Sequence, residues 1–319
     1  MYFPYLRGRQ YELLALRELV TNHCLDATVV PIVEPVKLSP TLVNVMGDFI
    51  KESHPLAVIA NPAVGSFQKD LENVQEGSKE ATYKQRFNEQ YSDGFIINSA
   101  IMQRDASDVI SGWTSQGVAA SDMLIINTNR DYLDMYETYF QEQSPRYALI
   151  PDESAFRRKI RYNKVLLDDK FEKQERNSDY KKVTDEFFSD DHLYYKDDRY
   201  VGFSDYSVVG NEYLEAGFAP YAVAIHIVYF APDRTLRVKH FVSDTNEDIT
   251  NPALKYYEAV KKLAEWYYSS DPHPVELTRG LQTFLDHYKA ESYPGLGTVK
   301  KLSLMHHLEL MGRYLSKEN

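Results

Sequence analysis

Cysteine is almost missing from the chain: among 319 residues there is one, Cys24. No intramolecular disulfide can form, and a thiolate zinc cluster is excluded. No basic segment leads into a long apolar stretch at the amino terminus, and no run of about 18 apolar residues occurs anywhere, so neither a signal peptide nor a membrane span is expected. A reducing cytoplasm is the compartment that suits such a chain. Positive charge is also short. The 36 Lys+Arg stand against 47 Asp+Glu, a net charge of −11, which argues against a general nucleic-acid binder because neutralising phosphates needs a basic face. No nucleotide-cofactor motif is found. Gly295 and Gly297, just after Pro294, lie in a turn without the preceding strand of a phosphate loop.

What the chain does have is a repeated pattern. A hydrophobic fraction of 43% is that of a globular protein, and much of it falls in short apolar runs that end in a polar side chain and precede a helix-like segment. Val29-Val30-Pro31-Ile32-Val33 ends in Glu34, Ala57-Val58-Ile59-Ala60 in Asn61, Phe95-Ile96-Ile97 in Asn98 and Leu124-Ile125-Ile126 in Asn127. Tyr147 to Pro151 then ends in Asp152, Val165-Leu166-Leu167 in Asp168, and Tyr200 to Ser204 in Asp205. Runs this short and apolar fit strands buried on both faces, as in a parallel sheet covered by helices. Tyr2-Phe3-Pro4-Tyr5-Leu6, ending in Arg7-Gly8-Arg9, supplies an eighth strand, with proline at a tolerated strand start. The pattern therefore predicts an α/β protein built on a single (β/α)8 TIM-type barrel, with its strand-end residues in a ring at one mouth.

Three later segments break the rhythm. Phe171 to Lys196 is long and charged for a barrel connection and reads as a lid, a binding segment or disorder. Tyr206 to Pro220 is irregular. Tyr221 to Phe230, a turn at Pro232-Asp233-Arg234-Thr235, and Leu236 to Val242 read as a β-hairpin decoration, with Tyr221–Phe230 an alternative eighth barrel strand. Helical spacing over Ala253–Tyr268, Val275–Tyr288 and Thr298–Leu315 predicts a carboxy-terminal helical cap. The expected division is a barrel over residues 1–220 and a hairpin with helical cap over 221–319.

The ring supplies the candidate chemistry. Glu34, Asp152, Asp168 and Asp205 are the candidate catalytic carboxylates. Three of them come from consecutive strands, and grouped carboxylates either raise their proton affinity or recruit a cation. Asp168 and Asp205 are the expected ligands for Mg²⁺ or another divalent cation, which oxygen donors suit. Alternatively, a pair such as Glu34 with Asp168 serves as acid and base on a glycosidic bond. Arg7 and Arg9 are expected to bind an anionic substrate group, with Asn61, Asn98 and Asn127 as further substrate-binding residues. Each reading has a plain structural rival. Asn and Asp between strand and helix are favoured as caps and turn formers, and Arg7 with Glu34 would satisfy one another as an internal ion pair. His306-His307 are consecutive on a helix and point to different faces, which is poor ligand spacing.

The opening Tyr2-Phe3-Pro4-Tyr5-Leu6-Arg7-Gly8-Arg9-Gln10-Tyr11-Glu12-Leu13, followed by Pro31-Ile32-Val33-Glu34-Pro35-Val36, resembles the bacterial and phage-associated beta-protein family, and Gly202-Phe203-Ser204-Asp205-Tyr206 resembles that family's late Asp-Tyr segment. The resemblance spans roughly Tyr2 to Phe241. It implies a barrel fold and a setting in mobile elements or phage–host conflict, and it carries no established reaction. Where members often have lysine, this chain has Arg7 or Arg9, which removes a Schiff-base role.

Two functions follow as expectations. One is a metal- or carboxylate-dependent hydrolase acting on a phosphorylated or sugar-like small molecule. The alternative is a non-catalytic binding component of a two-gene phage-defence or mobile-element system, whose partner is a protein encoded nearby.

Overall fold

The computed structural model describes residues 1–214 and 220–318. Part of the irregular piece expected over Tyr206 to Pro220 thus lies outside the described residues. The chain divides into two compact units, and the division is more interleaved than a single boundary near residue 220. The first comprises Met1–Asn22, Ala27–Asp168 and Tyr194–Asp205; the second comprises His23–Asp26, Asp169–Leu193 and Tyr206–Asn319.

In the first unit the apolar runs become the strands β1 (Tyr5–Leu6), β2 (Ile32–Val33), β3 (Leu56–Ile59), β4 (Ile96–Ile101), β5 (Met123–Ile126), β6 (Tyr147–Ile150) and β7 (Lys164–Leu167). The long segment after β7 contains β8 (Asp185–Ser189), which belongs to the second unit, and the first unit resumes with β9 (Gly202–Ser204). Among the described residues the order is β1-β2-β3-β4-β5-β6-β7-β9, every pair parallel.

Main-chain hydrogen bonds join the last strand to the first. Phe3 N–H donates to Phe203 O at 2.8 Å and Tyr5 N–H to Asp205 O at 2.8 Å, while Phe203 N–H donates to Met1 O at 3.1 Å. The eight-stranded TIM-type barrel is therefore present, and Tyr2 to Leu6, rather than Tyr221 to Phe230, completes it. Closure dictates one glycine: a Cβ on Gly202 would lie 2.6 Å from the Phe3 ring and 2.8 Å from Met1 O, so any larger residue would wedge the seam open. Val33, Val58, Ile59, Leu124, Ile125, Leu149 and Val165 are fully buried, as expected for strands covered on both faces. Each such side chain contributes roughly 1.5–3 kcal/mol relative to exposure.

The helices of this unit are α1 (Gln10–Thr21), α2 (Pro40–Lys51), α3 (Phe67–Glu72), α4 (Lys79–Tyr91), α5 (Ala106–Ser115), α6 (Leu133–Phe140) and α7 (Ser154–Lys159). Their starts are readable in the sequence. Ser39 Oγ accepts from Leu42 N–H at 3.2 Å with Pro40 in the first turn of α2, and Ser78 Oγ accepts from Ala81 N–H at 3.1 Å at α4. The charged stretch between β3 and β4 forms α3 and α4, whose buried members are Phe67 and Phe87.

The second unit contains the short helix α8 (Asp191–Tyr194), which ends where the first unit resumes, and the hairpin β10 (Ala224–Phe230) and β11 (Leu236–Val242). The hairpin starts a little later than its expected Tyr221 and is wider than expected. β8 adds to β11, giving an antiparallel sheet ordered β10-β11-β8. The segment from Phe171 to Lys196 therefore provides a strand and is not simply an open loop. The β10–β11 alternation conceals this third strand, because Asp185-Glu186 lack a strand-like composition and are held by Arg237, Lys239 and His240 of β11. The helices α9 (Pro252–Tyr267), α10 (Arg279–Lys289) and α11 (Leu296–Glu318) fulfil the expected helical carboxy-terminal region. His306 and His307 of α11 are both buried. His306 Nε2 meets Val228 O at 2.7 Å and its Nδ1 meets Thr278 Oγ1 at 2.7 Å, whereas His307 Nδ1 meets Ser207 Oγ at 2.8 Å. The two rings serve different partners, as consecutive helix positions require.

Candidate functional site at the carboxyl ends of the strands

Arg7 and Glu34 leave adjacent strands β1 and β2 and form an ion pair, with the Glu34 side chain fully buried and that of Arg7 14% exposed. The carboxylate is satisfied on both oxygens. Tyr5 Oη–H donates to Oε2 at 2.7 Å beside the Arg7 guanidinium, and Ala63 N–H donates to Oε1 at 2.7 Å. Gly8 makes this turn possible: its φ is +62°, and a Cβ there would sit 2.8 Å from Glu34 O. Glu34 thus ties together β1, β2 and the loop after β3. That is the internal ion pair which rivalled the catalytic reading. Arg9 is half-buried and precedes α1.

Asp205 is 3% exposed and accepts from Tyr2 Oη–H at 2.7 Å. Burial, reinforced by the Asp205 charge, holds the Tyr2 phenol well above its ordinary pKa. Asp168 follows the neighbouring strand and its N–H donates to Ser204 O at 3.1 Å, yet its side chain is exposed where that of Asp205 is buried. Asp152 is drawn elsewhere. Its side chain is 62% exposed, pairs with Arg157 of α7, and accepts from Tyr200 Oη–H at 3.1 Å. Tyr200 precedes β9 and lies under Lys164, the first residue of β7, so Asp152 reaches toward residues at the amino-terminal ends of its neighbours. The structure therefore joins Arg7 with Glu34 and does not gather the four carboxylates into one constellation. Among the described residues no group of three or more His, Cys, Asp or Glu is arranged to hold a metal ion.

The three asparagines differ. Asn98 does not end its strand: β4 continues to Ile101, and Asn98 pairs in register with Val58 and Met123. Its amide hydrogen-bonds the buried Tyr91 hydroxyl of α4, and Ser99 Oγ–H donates to Ile97 O at 2.9 Å. Polar side chains with partners this close do not terminate a strand, which is why the run Phe95-Ile96-Ile97 looked shorter than it is. Asn127 is 1% exposed; its Nδ2–H groups reach Ile125 O at 3.4 Å and Leu149 O at 3.5 Å, and its Oδ1 is buried with no protein partner.

Asn61, fully buried at the end of β3, accepts from Ile101 N–H at 2.9 Å and donates to Ile101 O and to Asp105 Oδ1, each at 2.9 Å. Its own carbonyl accepts from Gln103 Nε2–H at 2.9 Å. It therefore orients Gln103 and Asp105, in the loop after β4. These two residues, with Arg104, Asp108 and Tyr132, line a cleft of about 430 Å³. The lining comes from the loops after β4 and β5 and the first turn of α5, at the barrel face where active sites of this fold are built, and the cleft is shallow, with Arg104 and Asp108 exposed. None of these five residues was singled out from the sequence. Reading β4 through Ala100-Ile101 would have put the strand end at Gln103 to Asp105 and exposed the signal.

No protein-family model, curated protein or solved structure matches the chain.

Proposed function

We propose that the barrel takes up a small, hydroxyl-rich, sugar-like molecule in the cleft beyond β4 and β5, and that Asp105 is the carboxylate that acts on it. The observation that carries this reading is the 2.9 Å bond from Asn61 Nδ2 to Asp105 Oδ1 at the cleft wall. One carboxylate oxygen is fixed by a buried amide, which sets the direction of the other as an acceptor for a ligand hydroxyl. Asp108 supplies a second carboxylate, and Arg104 provides a cation for an anionic group such as phosphate. A carboxylate-dependent hydrolase is the reaction class that uses such a lining.

The test is a panel of 4-nitrophenyl glycosides and 4-nitrophenyl phosphate offered to the full chain, with saturation-transfer NMR on methyl glycosides and ribose 5-phosphate. Release of nitrophenol from one glycoside, lost in Asp105→Asn, supports the assignment. Equal release by both proteins refutes it. Addition of Mg²⁺ separates the cation route through Asp168 and Asp205 from the carboxylate route. The carboxylate reading predicts the same rate with Mg²⁺ and with EDTA.

The engagement of Glu34 by Arg7, of Asp205 by Tyr2 and of Asp152 by Arg157 favours a second reading, a binding component without turnover. In that case a methyl glycoside or a co-purifying protein from a two-gene defence system binds while no nitrophenol is released.

A further inference from the structure

One face of the sheet in the second unit carries a row of ionisable side chains. His226 of β10 lies directly opposite His240 of β11, and Glu186 of β8 lies opposite Val238, two residues along β11 from His240 and so on the same face. Hydrogen bonds close the row. The two Nδ1 atoms of His226 and His240 are 2.7 Å apart, and His240 Nε2 is 3.0 Å from Glu186 Oε1. The Tyr180 ring lies 4.7 Å from the His226 ring and 4.6 Å from that of His240, with Phe171 5.0 Å from His226.

A metal ion does not fit between the imidazoles. Zinc stands about 2.0–2.1 Å from each nitrogen, and a tetrahedral angle then separates the two nitrogens by more than 3 Å. The 2.7 Å gap accommodates one proton. Its position follows from the carboxylate. Ionised Glu186 accepts from His240 Nε2–H, His240 Nδ1 is then a lone pair, and His226 Nδ1–H donates to it. A first added proton is tolerated: His240 becomes a double donor, to Glu186 and to His226, whose remaining proton moves to Nε2. A second added proton sets two N–H groups head to head, and the contact fails.

We propose that Glu186, His240 and His226 form a proton-counting latch that ties β10 to β11 and β8 at neutral pH and releases β10 when both imidazoles are charged. The surroundings oppose that charging. Burial holds His240 down to about 4, with Asp185 favouring its charge and Lys239 opposing it. Burial, the neighbouring His240 and Lys300 of α11 hold His226 well below its ordinary value. Burial, the charge of Glu172 and that of Asp185 raise Glu186, against Arg237. A histidine depressed in the native state contributes stability that is complete above its unfolded pKa of about 6.5 and is lost as pH falls through the native value. The latch therefore weakens from about pH 6.5 toward about 4.

The test is amide hydrogen exchange of the full chain from pH 7 to 4.5, corrected for intrinsic rates. Protection of Ile225 to Tyr229 is expected to fall about tenfold per pH unit for each proton taken up on opening, while Ala57 to Ile59 in the barrel keep theirs. His226→Gln, which can donate but not charge, should remove a proton from that dependence. Glu186→Gln should start the loss at a different pH, because the first proton on His240 no longer meets a carboxylate. A flat wild-type profile, or an unchanged slope in His226→Gln, overturns the latch. Should His226→Gln fail to fold, an unmoved profile in Glu186→Gln overturns it equally.

Discussion

Asn61 and Asp105, 44 residues apart in sequence, are bound through Nδ2 and Oδ1 at 2.9 Å. The amide that the sequence marks as a strand-end ligand thus works one step back, setting the direction of a carboxylate in the next loop. The same amide bonds both main-chain polar groups of Ile101, so the side chain that orients the cleft also extends the pairing of β3 with β4 beyond its main-chain ladder.

Asn61→Ala should therefore be costly. It leaves the buried N–H and C=O of Ile101 without their side-chain partner, a loss of about 2–4 kcal/mol, measurable as a lower urea midpoint with unchanged slope. Asp105→Asn keeps the size of the side chain and should leave the midpoint nearly where it is. Equal loss in both variants would mean that the cleft is only a structural joint.

Arg7→Gln removes the cation beside a carboxylate that is fully buried. Breaking one half of such a pair typically costs about 3–5 kcal/mol, because the other charge stays buried. Adding Glu34→Gln to Arg7→Gln should recover much of that loss in denaturant titration. An additive double variant would show that the two groups are not coupled.

Tyr2→Phe removes a donor to Asp205 and should cost about 1–2 kcal/mol at neutral pH. The pH dependence has a definite sign. Burial and the Asp205 charge raise the Tyr2 phenol, so the neutral form is the one the fold favours. That contribution is complete below the unfolded value of about 10 and is lost at higher pH. The alkaline decline in stability should therefore be shallower in Tyr2→Phe than in the wild type, followed by denaturant titration from pH 8 to 11.

Asp152→Asn should change neither the melting temperature nor any turnover. Its partner Arg157 lies on the surface, and exposed pairs contribute little. A collapse of activity in this variant would restore Asp152 to the catalytic set.

The barrel was legible because buried parallel strands demand unbroken apolar runs, and such runs stand out even when short, as at Val29–Val33 and Val165–Leu167, which hold the strands Ile32–Val33 and Lys164–Leu167. The strand β8 was not, since Asp185 and Glu186 are tolerated there through partners on β11 that sequence order hides. The site was half legible. The Arg7–Glu34 pair follows from two adjacent strand ends. Asn98 misled because its partner, the Tyr91 hydroxyl, comes from a helix, and the misread end of β4 then hid Gln103 and Asp105. Asp152 misled because a strand-end position fixes where a side chain starts and says nothing of where its partners draw it.

The most direct test of the account is the rate of nitrophenol release from the best glycoside of the panel, compared between the wild type and Asp105→Asn at equal folded fraction. Loss of general acid–base assistance should lower kcat by about 10²–10⁴-fold with the fold intact. An unchanged kcat in Asp105→Asn would contradict the assignment of the cleft.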